Sequence, residues 1–254
     1  MAIEVTLEGP VSWVTIKRPE VLNALDIAHL LMLVAAFEDF CRADQQRVMV
    51  LSGTGKAFCV GADIKAMRDM NDADFAQAAD LYQQLARLAM STKKPLIASI
   101  QGYALGGGLE IALMCDLRLA GKSAQLGLPD APLGFSPTGG LSYFLPRLIG
   151  VGRAMQLLLS AKMISAERAE EIGLVSWVAS DEKLITETRD YAMAIADYPE
   201  TCVGNIKHLC ISSYEVDFES ILELEARYDR DCYSDPRTKA NLAAFVESRE
   251  KAKI

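Results

Sequence analysis

Histidine is scarce in this sequence, with only two copies among 254 residues. Both, His29 and His208, fall in segments whose apolar spacing predicts helix. The six cysteines lie far apart, and no Cys-x-x-Cys pair or other metal-ligand spacing occurs. We therefore expect no metal site and expect the cysteines to be reduced and packed in apolar surroundings. With so few histidines, we expect any proton transfer in catalysis to be carried out by carboxylates.

Excess positive charge is also missing, because 34 acidic residues outnumber 26 basic ones and the net charge is −8. Binding to nucleic-acid phosphates needs clustered lysine and arginine, so we expect no nucleic-acid partner. The first residues, Met1 to Val5, hold neither a basic segment nor a long apolar run. We therefore expect no signal peptide, no membrane span and a cytoplasmic protein.

No proline-rich or serine-rich linker divides the chain, and 51% apolar residues are enough for one large core. Apolar runs alternate with segments of helical periodicity, which predicts an α/β unit with crossover connections, and the periodicity is wholly helical after Asp181. Asp26 and Asp72 are the predicted N-caps of the first two helices. The predicted strands are 4–7, 11–16, 48–52, 96–101, 116–120 and 174–178, and the predicted helices are 26–41, 72–90, 181–197, 200–213, 217–233 and 236–251.

A glycine-rich turn between a strand and a helix is the most informative segment. An apolar, β-branched run at 96–100 predicts a buried strand, and the glycines that follow let the backbone turn into a helix beginning near Gly106. The first N–H groups of a helix lack internal partners and carry the positive end of its dipole. The Gly107 N–H is therefore a candidate donor to an anion, although tight turns and close packing also use glycine.

A second strand-to-loop-to-helix junction lies earlier in the chain. Residues 55–65, Gly-Lys-Ala-Phe-Cys-Val-Gly-Ala-Asp-Ile-Lys, directly follow the apolar strand that begins at Val48. Their loop can present a free N–H at Ala62. Two backbone donors directed at one oxygen form an oxyanion hole, which stabilises negative charge developing on a carbonyl. We predict that Ala62 and Gly107 supply these two donors.

The two junctions together resemble the enoyl-CoA hydratase/isomerase family, also called the crotonase family. The matching segments are Ala-Phe-Cys-Val-Gly-Ala-Asp-Ile-Lys at 57–65 and Gly-Tyr-Ala-Leu-Gly-Gly-Gly-Leu-Glu at 102–110. Further matching segments lie at 114–116, 133–134, 147–150, 169–175 and 244–247. The resemblance therefore covers essentially the whole chain.

This resemblance implies an α/β fold, a crotonase-like spiral of ββα repeats with a C-terminal helical region. We expect residues 1–196 to form the spiral core with a CoA-thioester site, and residues 197–254 to form a helical trimerisation region. The resemblance also implies a homotrimer or a dimer of trimers. The expected partner is an acyl-CoA thioester, so coenzyme A enters as part of the substrate and no cofactor is permanently bound.

Two carboxylates occupy positions where the resemblance implies catalytic acids. Glu110 lies one turn into the predicted helix, so its side chain can point back toward the glycine turn. It matches the family's first catalytic glutamate, and the alternative is an exposed helix residue. Asp130 matches a second glutamate that hydratases carry, on a side chain shorter by one methylene. The alternative for Asp130 is a turn or helix-cap residue beside Pro129.

The resemblance also implies which residues line the substrate site. Phe135, Met67 and Met70 are bulky and flank the matching segments, so we expect them to border the acyl pocket, and each could instead be a core residue. For Lys65, which suits a phosphate contact, the alternative is a solvated surface side chain. The residues expected at the nucleotide and thioester end of the site are Ala62, Asp63, Ile64, Lys65 and Gly107.

An oxyanion hole beside two carboxylates favours chemistry on a thioester. Polarising the thioester carbonyl makes the α-carbon acidic and the β-carbon of an α,β-unsaturated acyl group electrophilic. We therefore predict that the protein is an enzyme that hydrates a trans-2-enoyl-CoA. One alternative is a double-bond isomerase, which needs one carboxylate and no water, and the other is a non-catalytic subunit that binds CoA thioesters.

Overall fold

The structure of the chain is a computed structural model that describes residues 2–251. Residues 1 and 252–254, at the outer ends of the two expected regions, lie outside the described residues. The strands of the described part are β1 (Ile3–Glu8), β2 (Val11–Ile16), β3 (Val48–Gly53), β4 (Ala57–Cys59), β5 (Leu96–Ile100), β6 (Tyr103–Leu105), β7 (Leu117–Gly121), β8 (Gln125–Gly127), β9 (Ile164–Ser165) and β10 (Trp177–Ala179).

Helices connect these strands and form the last part of the described chain. They are α1 (Ile27–Arg42), α2 (Ile64–Arg68), α3 (Asp72–Ser91), α4 (Gly107–Met114), α5 (Leu141–Ile149), α6 (Val151–Ser160), α7 (Ala166–Glu171), α8 (Leu184–Asp197), α9 (Glu200–Ser212), α10 (Phe218–Ser234) and α11 (Pro236–Lys251). The four C-terminal helices begin and end within three residues of their predicted bounds, so the helical C-terminal region is confirmed.

The larger sheet has six strands in the order β1-β2-β3-β5-β7-β10. Strands β1 and β2 form an antiparallel hairpin, and every later neighbour is parallel. Side chains on opposite faces of β3 enter different parts of the core. Met49 and Leu51 pack with helices α1, α3 and α4, whereas Val48 and Val50 pack with α8. A sheet covered on both faces explains why its strands are continuous apolar runs.

A smaller sheet of four short strands, β4-β6-β8-β9, completes the core. Successive strands alternate between the two sheets, since β3, β5 and β7 belong to the larger sheet and β4, β6 and β8 to the smaller one. Helix α3 follows the first of these strand pairs and α4 follows the second. This alternation confirms the ββα repeats that the family resemblance implied.

Some local predictions differ from the structure. Asn71, not Asp72, is the N-cap of α3, because its side chain accepts hydrogen bonds from the backbone N–H groups of Ala73 and Asp74. The last strand begins at Trp177 rather than Leu174, because a left-handed turn at Gly173 first has to end α7. The cysteines also differ in part: Cys59 and Cys115 are buried, Cys41, Cys202 and Cys232 are half-buried, and Cys210 is exposed.

An ion pair between a buried lysine and a half-buried aspartate anchors the C-terminal helices to the core. The ammonium of Lys207 on α9 lies 2.9 Å from the Asp116 carboxylate and donates a hydrogen bond to the Lys94 carbonyl. The same carboxylate accepts a hydrogen bond from the Leu96 N–H at the start of β5. Among residues 2–251, no helix combines the length and the apolar composition that crossing a bilayer requires.

Candidate active site

A cavity of about 460 Å³ opens where the loop after β4, the start of α4 and helix α3 meet. Its walls are mostly apolar. It brings together nearly all of the site residues predicted from the sequence, namely Ala62, Asp63, Ile64, Gly107, Glu110, Asp130 and Phe135, together with Met67 and Met70. Lys65 is the exception, because its side chain lies exposed on α2 and does not contribute to the cavity wall.

The direction of the Ala62 N–H follows from how its peptide bond is held. The Gly61 carbonyl, in the same peptide unit, accepts a hydrogen bond from the Leu25 N–H, and the Asp63 N–H donates to the Leu25 carbonyl. In a trans peptide the N–H points opposite to the carbonyl, so the Ala62 N–H is directed away from Leu25. Among the residues that the structure describes, nothing accepts a hydrogen bond from it.

The Gly107 N–H is oriented in a similar way. The Gly106 carbonyl accepts a hydrogen bond from the Glu110 N–H within the first turn of α4. The Gly107 N–H, on the opposite side of that peptide, therefore points out of the helix N-terminus, and it has no acceptor within residues 2–251. Gly106 itself has φ +49° and ψ −128°, a conformation that favours glycine and that turns the chain from β6 into α4.

The two amides are close because Gly61 carries no side chain. A Cβ atom on Gly61 would lie 2.7 Å from the Gly107 nitrogen, and the φ of Gly61 is +87°. Either feature alone favours glycine at this position. The Gly61 N–H donates to the buried sulfur of Cys59 at 3.3 Å, which fixes the loop against the end of β4.

Glu110 lies on the first turn of α4 with its side chain buried inside the site. Its Oε1 atom accepts a hydrogen bond from the Thr138 N–H at 3.1 Å, and its Oε2 atom is buried without a partner in the described chain. Burial, followed by the nearby charge of Asp130, raises the pKa of Glu110 to about 8, against the lowering effect of the Thr138 bond. The alternative of an exposed helix glutamate is therefore wrong.

Asp130 approaches the same space from the loop after β8. A Cβ atom on Gly106 would lie 3.2 Å from its Oδ1 atom, so the carboxyl group lies against the glycine turn. It precedes the short helical turn at 131–133 but makes no capping hydrogen bond to it, which argues against a simple helix-cap role. Its Oδ2 atom is buried and has no partner among the described residues. Burial raises its pKa.

Asp63 and Phe135 border the cavity in different ways. The Asp63 carboxylate accepts hydrogen bonds from the Ala66 N–H and from Arg18, both at 3.4 Å, so it shapes the loop that carries Ala62. The ring of Phe135 stacks on Phe75 of α3, with ring centroids 5.8 Å apart. This aromatic pair forms one side of the cavity. Phe75 was not predicted, because from the sequence its position indicates only an amphipathic helix.

Tyr82 is another cavity residue that sequence reasoning missed. It belongs to the buried face of α3, and its hydroxyl reaches Gly107. An aromatic residue on an apolar helix face gives no signal of a site, since most such residues are core. No cluster of three or more potential metal ligands occurs within residues 2–251.

The chain is similar in sequence to proteins of a known family. The family model described as "Enoyl-CoA hydratase/isomerase" matches residues 6–252. The chain belongs to the enoyl-CoA hydratase/isomerase family. A short-chain-enoyl-CoA hydratase of Clostridium acetobutylicum is 34% identical over 96% of this chain and 94% of that protein. A crotonyl-CoA hydratase of Syntrophomonas wolfei is 34% identical over 92% of this chain and 91% of that protein.

The three-dimensional comparison agrees. The crystal structure of an enoyl-CoA hydratase from Bacillus anthracis superposes with a TM-score of 0.93 at 32% identity, covering 98% of this chain and 97% of that one. The ββα repeats described above are therefore those of the crotonase fold. In this member of the enoyl-CoA hydratase/isomerase family, the residues that line the cavity include Ala62 and Gly107, whose backbone N–H groups are free within the described chain, together with the buried Glu110 and the half-buried Asp130.

The raised pKa of Glu110 predicts a pH-dependent effect of the Glu110→Gln substitution on stability. The folded pKa of about 8 lies above the unfolded value, so the bound proton stabilises the folded chain fully at low pH. This stabilisation is lost as the pH rises through 8. We therefore expect Glu110→Gln to gain stability relative to the parent by up to about 1.4 kcal/mol per pH unit between roughly pH 5 and pH 8, and we expect the difference to stay level above pH 8.

Urea unfolding of both proteins at several pH values between about 5 and 9 measures this difference. Glu223→Gln, which removes the same charge from an exposed position on α10, controls for net charge. A stability difference between Glu110→Gln and the parent that stays constant across the whole range would contradict the assignment.

Proposed function

We propose that this protein is an enoyl-CoA hydratase that adds water to a trans-2-enoyl-CoA and forms a 3-hydroxyacyl-CoA. The observation that carries the proposal is that one cavity is lined by two residues with unpaired peptide N–H groups, Ala62 and Gly107, and by two carboxylic acids, Glu110 and Asp130, each with a buried oxygen that has no partner in the described part of the chain. The names of the Clostridium and Syntrophomonas relatives point to the same activity.

The proposed reaction begins with the thioester oxygen between the Ala62 and Gly107 N–H groups. These donors stabilise the negative charge that develops on this oxygen when a nucleophile attacks the β-carbon. The α4 N-terminus adds positive potential at the same place. The π electrons of the C=C bond move toward the α-carbon and the thioester, and the new bond forms between the water oxygen and the β-carbon.

The two carboxyl groups supply and remove the protons. One of them accepts a proton from the attacking water, and the other delivers a proton to the α-carbon, so hydration requires both. Burial raises the pKa of each group, and the charge of Asp130 further raises the pKa of Glu110. Glu110 therefore keeps its proton near neutral pH. Two free carboxyl oxygens in one cavity favour hydration over isomerisation, which needs only one.

The remaining residues hold the substrate in this proposal. Ala62, Asp63, Ile64 and Gly107 line the thioester end, and Phe135 borders the acyl group. Lys65 projects from α2, the helix directly after the Ala62 loop, and its exposed ammonium is free to meet a phosphate of coenzyme A at the entrance. Coenzyme A enters as part of the substrate, and the proposed mechanism uses no resident cofactor.

We also propose that the chain assembles as a homotrimer or a dimer of trimers through the C-terminal region, residues 197–254. Helix α11 supports this, because none of its described side chains is buried although Leu242, Phe245 and Val246 are apolar. A helix of this kind gains little stability unless a partner covers its apolar side chains.

Light scattering should give a mass of three or six chains, and Phe245→Asp should lower this mass. A monomeric parent would contradict the proposal.

Loss of either carboxylate should abolish turnover without abolishing substrate binding. We expect Glu110→Gln and Asp130→Asn each to lower kcat for crotonyl-CoA by roughly 10²- to 10⁴-fold, because each removes a proton-transfer group. The affinity for a saturated CoA thioester should change little. Steady-state kinetics and isothermal titration measure the two quantities, with Glu223→Gln as the matched control.

Isotopic water separates the proposed reaction from its alternatives. In water labelled with ¹⁸O, hydration places the label on the β-carbon of the product. A shifted double bond without oxygen label would indicate an isomerase, and tight binding without turnover on a panel of acyl-CoA thioesters would indicate a non-catalytic subunit. If both carboxylate variants kept the kcat of the parent, Glu110 and Asp130 would have no part in the mechanism.

A further inference from the structure

A buried hydroxyl group at the cavity has no role in the reaction as described so far. Within residues 2–251, five buried side-chain polar atoms lack a hydrogen-bond partner, and three of them belong to this one cavity. Two are the free carboxyl oxygens of Glu110 and Asp130. The third is the hydroxyl oxygen of Tyr82 on helix α3.

Packing alone does not explain this hydroxyl. The aromatic ring of Tyr82 fills the core between α3 and α4, and phenylalanine would fill the same space. A buried hydroxyl without a partner lowers stability, because it has lost its hydrogen bonds to water and gained none. The Tyr82 hydroxyl lies within hydrogen-bond distance of neither carboxyl group, so it does not serve to orient Glu110 or Asp130.

The position of the hydroxyl relates it to the proposed oxyanion hole. A Cβ atom on Gly107 would lie only 2.4 Å from the Tyr82 oxygen, so the hydroxyl rests against the α-carbon of the residue that supplies the second N–H. The missing side chain at position 107 is what leaves room for it. Burial raises the pKa of Tyr82 well above its usual value. The group therefore keeps its proton and acts as a donor.

We propose that the Tyr82 hydroxyl donates a hydrogen bond to the thioester oxygen of the bound acyl-CoA, as a third donor beside the Ala62 and Gly107 N–H groups. This inference rests on the proposed thioester site and deepens it. A fixed donor in a site shielded from water stabilises the charge that develops on the oxygen more than it stabilises the uncharged carbonyl. Its contribution should therefore appear in kcat rather than in KM.

The Tyr82→Phe substitution tests the proposal, because it removes the hydroxyl oxygen and keeps the ring. We expect kcat for crotonyl-CoA to fall by roughly ten- to a hundredfold and KM to change little. Polarisation of the carbonyl can be read directly with an amino-substituted cinnamoyl-CoA, whose absorption maximum moves to longer wavelength when its thioester oxygen accepts stronger hydrogen bonds. This shift on binding should be smaller in Tyr82→Phe than in the parent.

Thermal unfolding separates this role from a structural one. Since the hydroxyl lacks a partner in the free protein, Tyr82→Phe should leave the melting temperature unchanged or raise it. Tyr228→Phe is the matched control, because the buried Tyr228 hydroxyl is bonded to the His208 ring at 3.2 Å and lies away from the cavity. It should lower the melting temperature and leave kcat and the absorption shift at parent values.

Two results would overturn the proposal. One is a Tyr82→Phe variant with parent kcat and the parent absorption shift. The other is a fall in kcat with an unchanged shift, because the hydroxyl would then act somewhere other than the thioester oxygen. A parent protein that shifts the absorption of the cinnamoyl thioester but hydrates no enoyl-CoA would contradict the proposed function alone, and the absorption comparison would still test Tyr82.

Discussion

The close approach of two peptide N–H groups, one from each of two neighbouring ββα repeats, is the constraint on which the site depends. Strands β4 and β6 pair in parallel, with Ala57 opposite Tyr103 and Cys59 opposite Ala104. Parallel neighbours end at the same edge of a sheet, so the loops that follow them emerge side by side. The pairing of two three-residue strands thus places the Ala62 and Gly107 N–H groups in one cavity.

The rest of the molecule keeps these two loops in position. The hydrogen bonds to Leu25 and to the sulfur of Cys59 hold the first loop, and the first turn of α4 holds the second. The apolar core around α3 and α4 is also what makes the carboxyl groups chemically useful, because burial raises the pKa of both Glu110 and Asp130. Burying carboxyl groups without partners lowers stability, and active sites are where proteins tolerate this.

The sequence predicts this fold well where segments are long and periodic. The large sheet, α1 with its Asp26 cap and the four C-terminal helices follow from apolar spacing and capping residues. The smaller sheet was not predicted, because strands of two or three residues carry no periodicity. Asn71 was missed as a cap because two aspartates follow it closely and compete as capping candidates.

The parts of the candidate site that come from backbone N–H groups and from sequence motifs could be predicted. Ala62, Gly107, Glu110 and Asp130 lie in recognisable segments, and all four line one cavity. Tyr82 could not be found in this way, since its hydroxyl meets Gly107 only after α3 packs across α4. The oligomeric state and the cytoplasmic location stay predictions, because neither is a property of one folded chain.

The most direct test of the central claim is a crystal structure of the protein with a saturated acyl-CoA such as butyryl-CoA. The account predicts that the thioester oxygen lies about 2.7–3.2 Å from both the Ala62 and Gly107 nitrogen atoms, with the β-carbon next to Glu110 and Asp130. A thioester oxygen that contacts neither nitrogen would contradict it, as would an acyl group bound outside this cavity.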